Sequence, residues 1–248
     1  MKMLITNDDS IHAAQLLPLI ERCRKFADVT VVVPKSEQSA KSHSIEIRNP
    51  FEVKQVELAP DIHVWQVDST PADCVRFALF GLKQRFDLVI SGINRGYNLG
   101  KDTMYSGTLA AATEASSNGI NALALSTSVR YYEKAAEHLE QILQYLDEEK
   151  LWDRNPLYNI NIPMNPKGIR ITRQGGLSYS VEYIYQGDDR YYAGGKPFSE
   201  TSDDLTLDTA ACKHGYISVT PMTILRTNMA VFETLEQRSV RLFSQNII

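Results

Sequence analysis

Residues 28–33 read DVTVVV, a β-branched run that continues uninterrupted to Pro34. A strand without polar alternation is buried on both faces, which requires a layer of helices on each side and favours a parallel sheet. Similar short runs occur at 1–6 (MKMLIT), 62–67 (IHVWQV), 86–90 (FDLVI), 121–126 (NALALS) and 157–162 (LYNINI). Helix faces lie between them. Leu16, Leu19, Ile20 and Cys23 fall at i, i+3, i+4 and i+7, and Val75, Ala78, Leu79 and Leu82 make a second apolar stripe. Helix-compatible sequence covers 108–117, and Ala135, Leu139, Ile142, Leu143 and Leu146 mark a further face. This rhythm predicts an α/β fold with a doubly wound, mostly parallel, Rossmann-like sheet and right-handed crossovers.

In such sheets ligands bind beyond the carboxyl ends of the strands. Polar clusters fall at those ends here: 7–10, 34–44, 68–73 and 91–108. Four clusters after four strands point to a site more than to scattered surface polarity. Past about residue 165 the character changes. Residues 177–186 (LSYSVEYIYQ) are aromatic and strand-like, and Gly187-Asp188-Asp189 and Gly194-Gly195 punctuate them, which predicts a projecting hairpin. Residues 216–220 (YISVT) predict one more strand and 229–243 a terminal helix. A Tyr-rich hairpin has little core of its own, so it packs either on another subunit or on its own domain.

Composition narrows the classes. At 248 residues the chain fits one large domain or a domain with an appendage. A formal net charge of −4 makes it a poor binder of nucleic acid. No run of about 20 apolar residues is present, so no membrane span is expected, and the first residues are too polar for a signal peptide. Cys23, Cys74 and Cys212 are odd in number and far apart. They suit reduced thiols in a cytoplasmic protein.

Asp8 and Asp9 are adjacent carboxylates just past a strand. They repel each other unless water or a cation intervenes, and their hard oxygens suit Mg²⁺, Mn²⁺ or Ca²⁺. Capping of the helix that follows is the competing role. Ser39 follows the second strand, where a hydroxyl can complete such a metal shell or satisfy a turn. In Ser91-Gly92-Ile93-Asn94-Arg95-Gly96-Tyr97-Asn98-Leu99-Gly100 the glycines allow close backbone approach, and the Asn side chains add ligands for metal or phosphate. Ser106-Gly107-Thr108 opens a helix and forms a candidate phosphate seat. No Gly-Lys-Ser/Thr follows, so this is neither a P-loop nor a dinucleotide fingerprint. The five histidines form no ligand pair, which argues against zinc. His43 is a candidate acid or phosphate-orienting group, and Cys74 is expected to pack in the core.

Taken in order, these motifs resemble the SurE (survival protein E) phosphatase family. The matching residues are Ile5-Thr6-Asn7-Asp8-Asp9, Gln38-Ser39, His43-Ser44-Ile45 and Thr70-Pro71-Ala72-Asp73-Cys74-Val75. Ser91-Gly92-Ile93-Asn94, Gly96, Asn98, Gly100, Tyr105-Ser106-Gly107-Thr108 and Gly215-Tyr216-Ile217-Ser218-Val219-Thr220-Pro221 continue the match. The resemblance implies a metal-dependent 5′-nucleotidase acting on nucleoside monophosphates, with 3′-nucleotides and short polyphosphate as further substrates of some relatives. It implies one divalent metal per subunit, Mg²⁺ or Mn²⁺, held by Asp8, Asp9, Ser39 and Asn94. Asp8, Asp9, Asn94 and Ser106 would then be catalytic, with Ser39, His43, Gly96, Asn98, Ser106, Gly107 and Thr108 binding the phosphate. It further implies a homodimer or homotetramer that exchanges the hairpin and C-terminal segment, with no membrane or stable nucleic-acid partner. The single domain of 1–248 would comprise a catalytic core at about 1–165 and an oligomerisation part at about 166–248. Three positions depart from the family pattern: Ala40 and Ser69 where Gly is common, and Glu46 where Thr is common. Ala40 and Ser69 are expected to take ordinary backbone angles and so to alter loop shape.

Under this reading the metal activates water and Asp9 takes its proton. An aspartyl-phosphate on Asp8 is the competing mechanism. A non-catalytic nucleotide- or anion-binding module is the rival function. The Gly-rich loop suits that rival equally well, but paired carboxylates would repel phosphate without a metal. A structural oligomer with the hairpin as its only functional surface is a second rival.

Overall fold

The computed structural model describes residues 1–176, 180–195 and 200–236. Its strands in chain order are β1 (Lys2–Thr6), β2 (Asp28–Pro34), β3 (Val53–Ala59), β4 (Ile62–Val67), β5 (Leu88–Arg95), β6 (Asn121–Thr127), β7 (Leu157–Ile162), β8 (Ile169–Ile171), β9 (Glu182–Gly187), β10 (Arg190–Gly194) and β11 (Ile217–Pro221). Its α-helices are α1 (Leu16–Cys23), α2 (Pro71–Arg76), α3 (Gly107–Ser117), α4 (Leu139–Glu148), α5 (Asp208–Lys213) and α6 (Met229–Leu235).

Nine strands form one sheet in the order β3-β4-β2-β1-β5-β6-β7-β11-β8. The interior pairs β4-β2, β2-β1, β1-β5, β5-β6 and β6-β7 are all parallel. β3 joins one edge antiparallel to β4, and β11 joins antiparallel to β7. The order runs outward from β1 in both directions, so the switch point lies between the carboxyl ends of β1 and β5. The doubly wound, mostly parallel sheet expected from the alternating runs is therefore present.

Side-chain alternation along the central strands separates two cores. Met3, Ile5, Val31, Val33 and Ile90 face α1 and α4 through Leu16, Leu19, Ile20, Leu139 and Ile142. Leu4, Val32 and Val89 face α2 and α3 through Cys74, Val75, Ala111 and Ala115. Small alanines on α3 let that helix lie close against the sheet. Its own apolar pattern has little one-sidedness because residues all around it are buried, Glu114 included.

Several expectations need adjustment. β3 was not expected: its outward Lys54, Gln55 and Glu57 break the apolar run, as suits a strand at the sheet edge. The stripe at 75–82 is α2 followed by a π-turn over Phe77–Gly81, and the stripe from 135 begins as a 3₁₀ segment over Val129–His138 before α4. Past residue 165, β8 and β11 both belong to the sheet. β9 and β10 pair with each other as the expected hairpin, starting later than residue 177; 177–179 lie outside the described residues. The terminal helix is described as α6, and 237–243 of its expected span lie outside the described residues.

Candidate active site

β1 stops at Thr6, and Asn7-Asp8-Asp9 turn over the carboxyl end of the sheet at the switch point. These residues do not cap α1, whose N-cap is Gln15 without a side-chain cap bond. Asp8 instead meets α3. The Thr108 hydroxyl donates to Asp8 Oδ1 at 2.6 Å, and a Cβ placed on Gly107 would lie 3.1 Å from Asp8 Oδ2. Gly107 is thus the residue that lets a carboxylate approach the positive end of this helix. Asp8 is 4% exposed. Burial pushes its carboxyl up to about 6; the Thr108 hydroxyl opposes that rise and the neighbouring Asp9 charge adds to it.

Asp9 is half-buried, and its Oδ2 accepts the Arg95 backbone N–H at 2.9 Å. Its carboxyl is also raised, first by burial and then by the Glu37 charge, against the Arg95 N–H. The Arg95 contact depends on an irregularity in β5. The strand runs on through Ser91–Asn94, a stretch expected to be loop, and its pairing with β6 shifts between Ser91 and Asn94. Gly92 makes this possible: its φ is +140°, and a Cβ there would lie 2.4 Å from the Leu125 carbonyl oxygen. Asn94 follows, with its amide nitrogen held by the Gly96 carbonyl at 2.8 Å, so its oxygen is the atom left for a ligand.

The 34–44 loop reaches the same place. Gln38 N–H donates to the Asp8 carbonyl at 2.8 Å, and Ser42 N–H donates to the Tyr105 carbonyl at 3.0 Å. Ser39 is exposed, and its hydroxyl donates to Glu37 Oε1 at 2.6 Å. Ala40 takes φ +58°. The expectation of an ordinary angle there is corrected: the loop keeps the left-handed turn that Gly would supply, at a steric cost of about 1 kcal/mol. Ser69 is not among the positive-φ residues, and its hydroxyl donates to Asp73 Oδ2 at 2.5 Å.

The remaining candidates divide. Ser106 is the N-cap of α3, and its Oγ accepts Leu109 N–H at 3.0 Å. Thr108 and Gly107 serve Asp8. The Gly96 N–H bonds the Thr127 carbonyl at 2.9 Å. Asn98 is buried; its N–H bonds Asn161 Oδ1 and its side-chain amide bonds Ser126, both at 2.8 Å. These two residues shape the loop from beneath. His43 Nε2 lies 2.9 Å from Glu114 Oε2, and Arg76 binds the other Glu114 oxygen at 3.1 Å. Sequence reasoning missed Glu37, Glu114 and Asp208. A lone acid in an Ala-rich helix signals a buried ion pair, which marks Glu114. Asp208 is fully buried and receives N–H groups of Gly100, Gly175 and Thr209, and nothing in its sequence neighbourhood singles it out.

Two adjacent carboxylates fit a hard cation, which would offset their mutual repulsion. Among the described residues no three His, Cys, Asp or Glu side chains gather as a metal cluster. A cation here would therefore draw on Asp8, Asp9 and neutral oxygens, as from Asn94 and Ser39. Cys23, Cys74 and Cys212 are free and buried, with Cys74 in the core as expected. No helix of the described residues is long and apolar enough to cross a membrane.

The comparisons with known proteins agree with this architecture. The family model for Survival protein SurE matches residues 3–181. A protein of Desulforudis audaxviator named 5'-nucleotidase SurE is 39% identical over 249 residues, covering 96% of this chain and 97% of that relative. One of the same name from Actinobacillus succinogenes is 40% identical over 232 residues, covering 90% and 92%. The crystal structure of the SurE protein from Aquifex aeolicus superposes with a TM-score of 0.79 at 30% identity, over 95% of this chain and 98% of that one. With its Asp8-Asp9 turn at the β1/β5 switch point and this match along nearly its whole length, the chain belongs to the SurE family.

Proposed function

We propose that the protein is a 5′-nucleotidase, a phosphomonoesterase that releases phosphate from nucleoside 5′-monophosphates, as the names of its relatives indicate. The observation that carries this reading is the Asp8–Asp9 pair at the carboxyl end of the sheet, with Asp8 bonded by the Thr108 hydroxyl and Asp9 by the Arg95 N–H. Alone they would repel a phosphate. A divalent metal, Mg²⁺ or Mn²⁺, held by Asp8, Asp9, Ser39 and Asn94 would supply Lewis-acid activation when bound. That requirement favours an enzyme over a passive anion-binding module.

The chain's own groups then have distinct tasks. Thr108 and the start of α3 hold Asp8 in one orientation and oppose the rise that burial imposes on its carboxyl. Asp9 is less buried and is steadied on one oxygen by Arg95 N–H, so it is the carboxylate placed to take a proton from an attacking water. Asp8, turned into the α3 terminus, is the poorer nucleophile. Ser106, capping α3, keeps its hydroxyl proton free to donate to a phosphoryl oxygen. Ser39 and His43 border the same loop. We propose also that the protein is a homo-oligomer, dimer or tetramer, because Tyr183, Tyr185, Tyr191 and Tyr192 of the β9–β10 hairpin are exposed.

Phosphate release from AMP or GMP with Mn²⁺ or Mg²⁺, abolished by chelator and by Asp9→Asn with the fold intact, is the expected result. Near-normal turnover in Asp9→Asn would remove the assignment. Activity on 3′-nucleotides and short polyphosphate is tested in the same panel.

A further inference from the structure

The 34–44 loop carries Ser39, and its backbone does not by itself favour the shape it takes. Ala40 and Ser42 both stand at positive φ, +58° and +53°. A left-handed angle is costly for a residue with a Cβ, so such a loop keeps its form where contacts from outside hold it.

Those contacts come from α2, α3 and the residues just before them. Ser42 donates its N–H to the Tyr105 carbonyl at 3.0 Å and its hydroxyl to the Met104 carbonyl at 2.8 Å. The Thr70 hydroxyl donates to the Ser44 carbonyl at 2.7 Å. Between these two anchors His43 Nε2 meets Glu114 Oε2 of α3 at 2.9 Å. A carboxylate only accepts, so Nε2 carries the proton. Arg76 of α2 takes the other Glu114 oxygen at 3.1 Å. With both oxygens bonded, the buried Glu114 carboxylate is a fixed point for the loop.

One helix thereby serves both sides of the site. Thr108, in the first turn of α3, bonds Asp8. Glu114 stands six positions on, about 9 Å along the same axis, and bonds His43. A helix that touches both segments fixes one relative to the other.

We propose that Glu114 is a positioning residue: through His43 it holds the 38–44 loop on α3, and so sets where Ser39 stands relative to Asp8 and Asp9. The proposal rests on the reading of Ser39 as a metal ligand and adds the group that places it.

The test compares the full-length protein, freed of metal, with Glu114→Ala, His43→Ala, the double variant and Arg76→Gln, each shown to be folded by thermal melting. Amide hydrogen exchange is read at Gln38 and Ser42, whose N–H groups bond Asp8 and Tyr105, and Mn²⁺ affinity is read by calorimetry. Glu114→Ala should speed exchange at both amides and weaken Mn²⁺ binding about tenfold, as for other groups that orient a ligating side chain. His43→Ala should match it, and the double variant should be no worse than either, because the two side chains make one contact. Arg76→Gln leaves His43 on Glu114 and removes a part-exposed ion pair, so it should change neither quantity by more than about twofold. In a Ser39→Ala background Glu114→Ala should weaken Mn²⁺ no further, and at saturating Mn²⁺ its kcat for AMP should stay within about threefold of the parent's.

Mn²⁺ affinity unaltered by Glu114→Ala, in a parent that binds Mn²⁺, overturns the proposal. Equal effects from Arg76→Gln overturn it too, since they would come from lost packing between α2 and α3. A parent that binds no Mn²⁺, with the two amides still responding to Glu114→Ala, would sink the metal reading and leave the loop anchor standing.

Discussion

Thr108 and Asp8 stand 100 residues apart in the chain and 2.6 Å apart in space. Thr108 is completely buried, so its hydroxyl has no role toward solvent. Thr108→Val keeps the volume and removes the donor. We expect kcat/KM to fall about 10- to 100-fold, as for other groups that orient a ligating side chain. Stability should fall by about 1–3 kcal/mol, the cost of leaving Asp8 Oδ1 unpaired. Denaturant titration and steady-state kinetics check the two effects separately.

Ser106→Ala should lower stability by about 1 kcal/mol through loss of the α3 N-cap. If its hydroxyl also reaches a phosphoryl oxygen, kcat falls by far more than that, by about 3 kcal/mol of transition-state stabilisation. A kcat close to the parent's in the presence of the stability loss would restrict Ser106 to capping.

Gly92→Ala places a Cβ 2.4 Å from a carbonyl oxygen at a φ of +140°. Neither the backbone of β6 nor that angle yields cheaply. A loss on the order of 3 kcal/mol or failure to accumulate as folded protein is expected, measured by urea denaturation. Soluble Gly92→Ala with parental stability would contradict the close approach of β5 to β6.

Glu114 sits between His43 and Arg76. The His43 hydrogen bond, and then Arg76, hold its carboxyl below the ordinary value of 4.5 against the effect of burial. A depressed folded value means that the folded state binds this proton less readily than the unfolded chain. The resulting stability is complete above pH 4.5 and is lost as pH falls through the folded value. Glu114→Gln should therefore be less stable than the parent near neutrality and lose less on acidification. Melting temperatures taken from pH 6 down to about 3 test the slope.

The three cysteines are buried, and burial pushes the Cys23 and Cys212 thiols up to about 12 and Cys74 well above its usual range. None offers an appreciable thiolate near neutrality. A thiol reagent at pH 8 should label no site in the native protein on the timescale of mixing and all three in denaturant. Rapid native labelling would contradict this packing.

Much of the fold was legible because burial on both faces of a strand leaves a direct trace. Val31, Val32 and Val33 are apolar without alternation, and all three are buried in the centre of the sheet. The edge was not legible: Val53–Ala59 mixes Lys, Gln and Glu with apolar residues, as an edge strand does. The carboxylate pair was legible from its position after β1. What it leans on was not, because partners such as Thr108 and Arg95 are fixed by tertiary approach and leave no spacing rule. The glycines were read as a phosphate-cradling loop. Gly92 and Gly107 permit close contacts within the protein, and Gly96 donates its N–H to the Thr127 carbonyl. A sequence reports that backbone is free to approach something, and only the fold says what.

β11, at residues 217–221, lies between β7 and β8 in the finished sheet. β7 must therefore wait for a segment synthesised long after it before it acquires its outer neighbour. Until then the Leu157–Ile162 edge presents open backbone groups, a surface on which nascent chains can join one another. Premature termination upstream of Ile217 should thus yield insoluble material, even though every residue surrounding Asp8 and Asp9 has already been made.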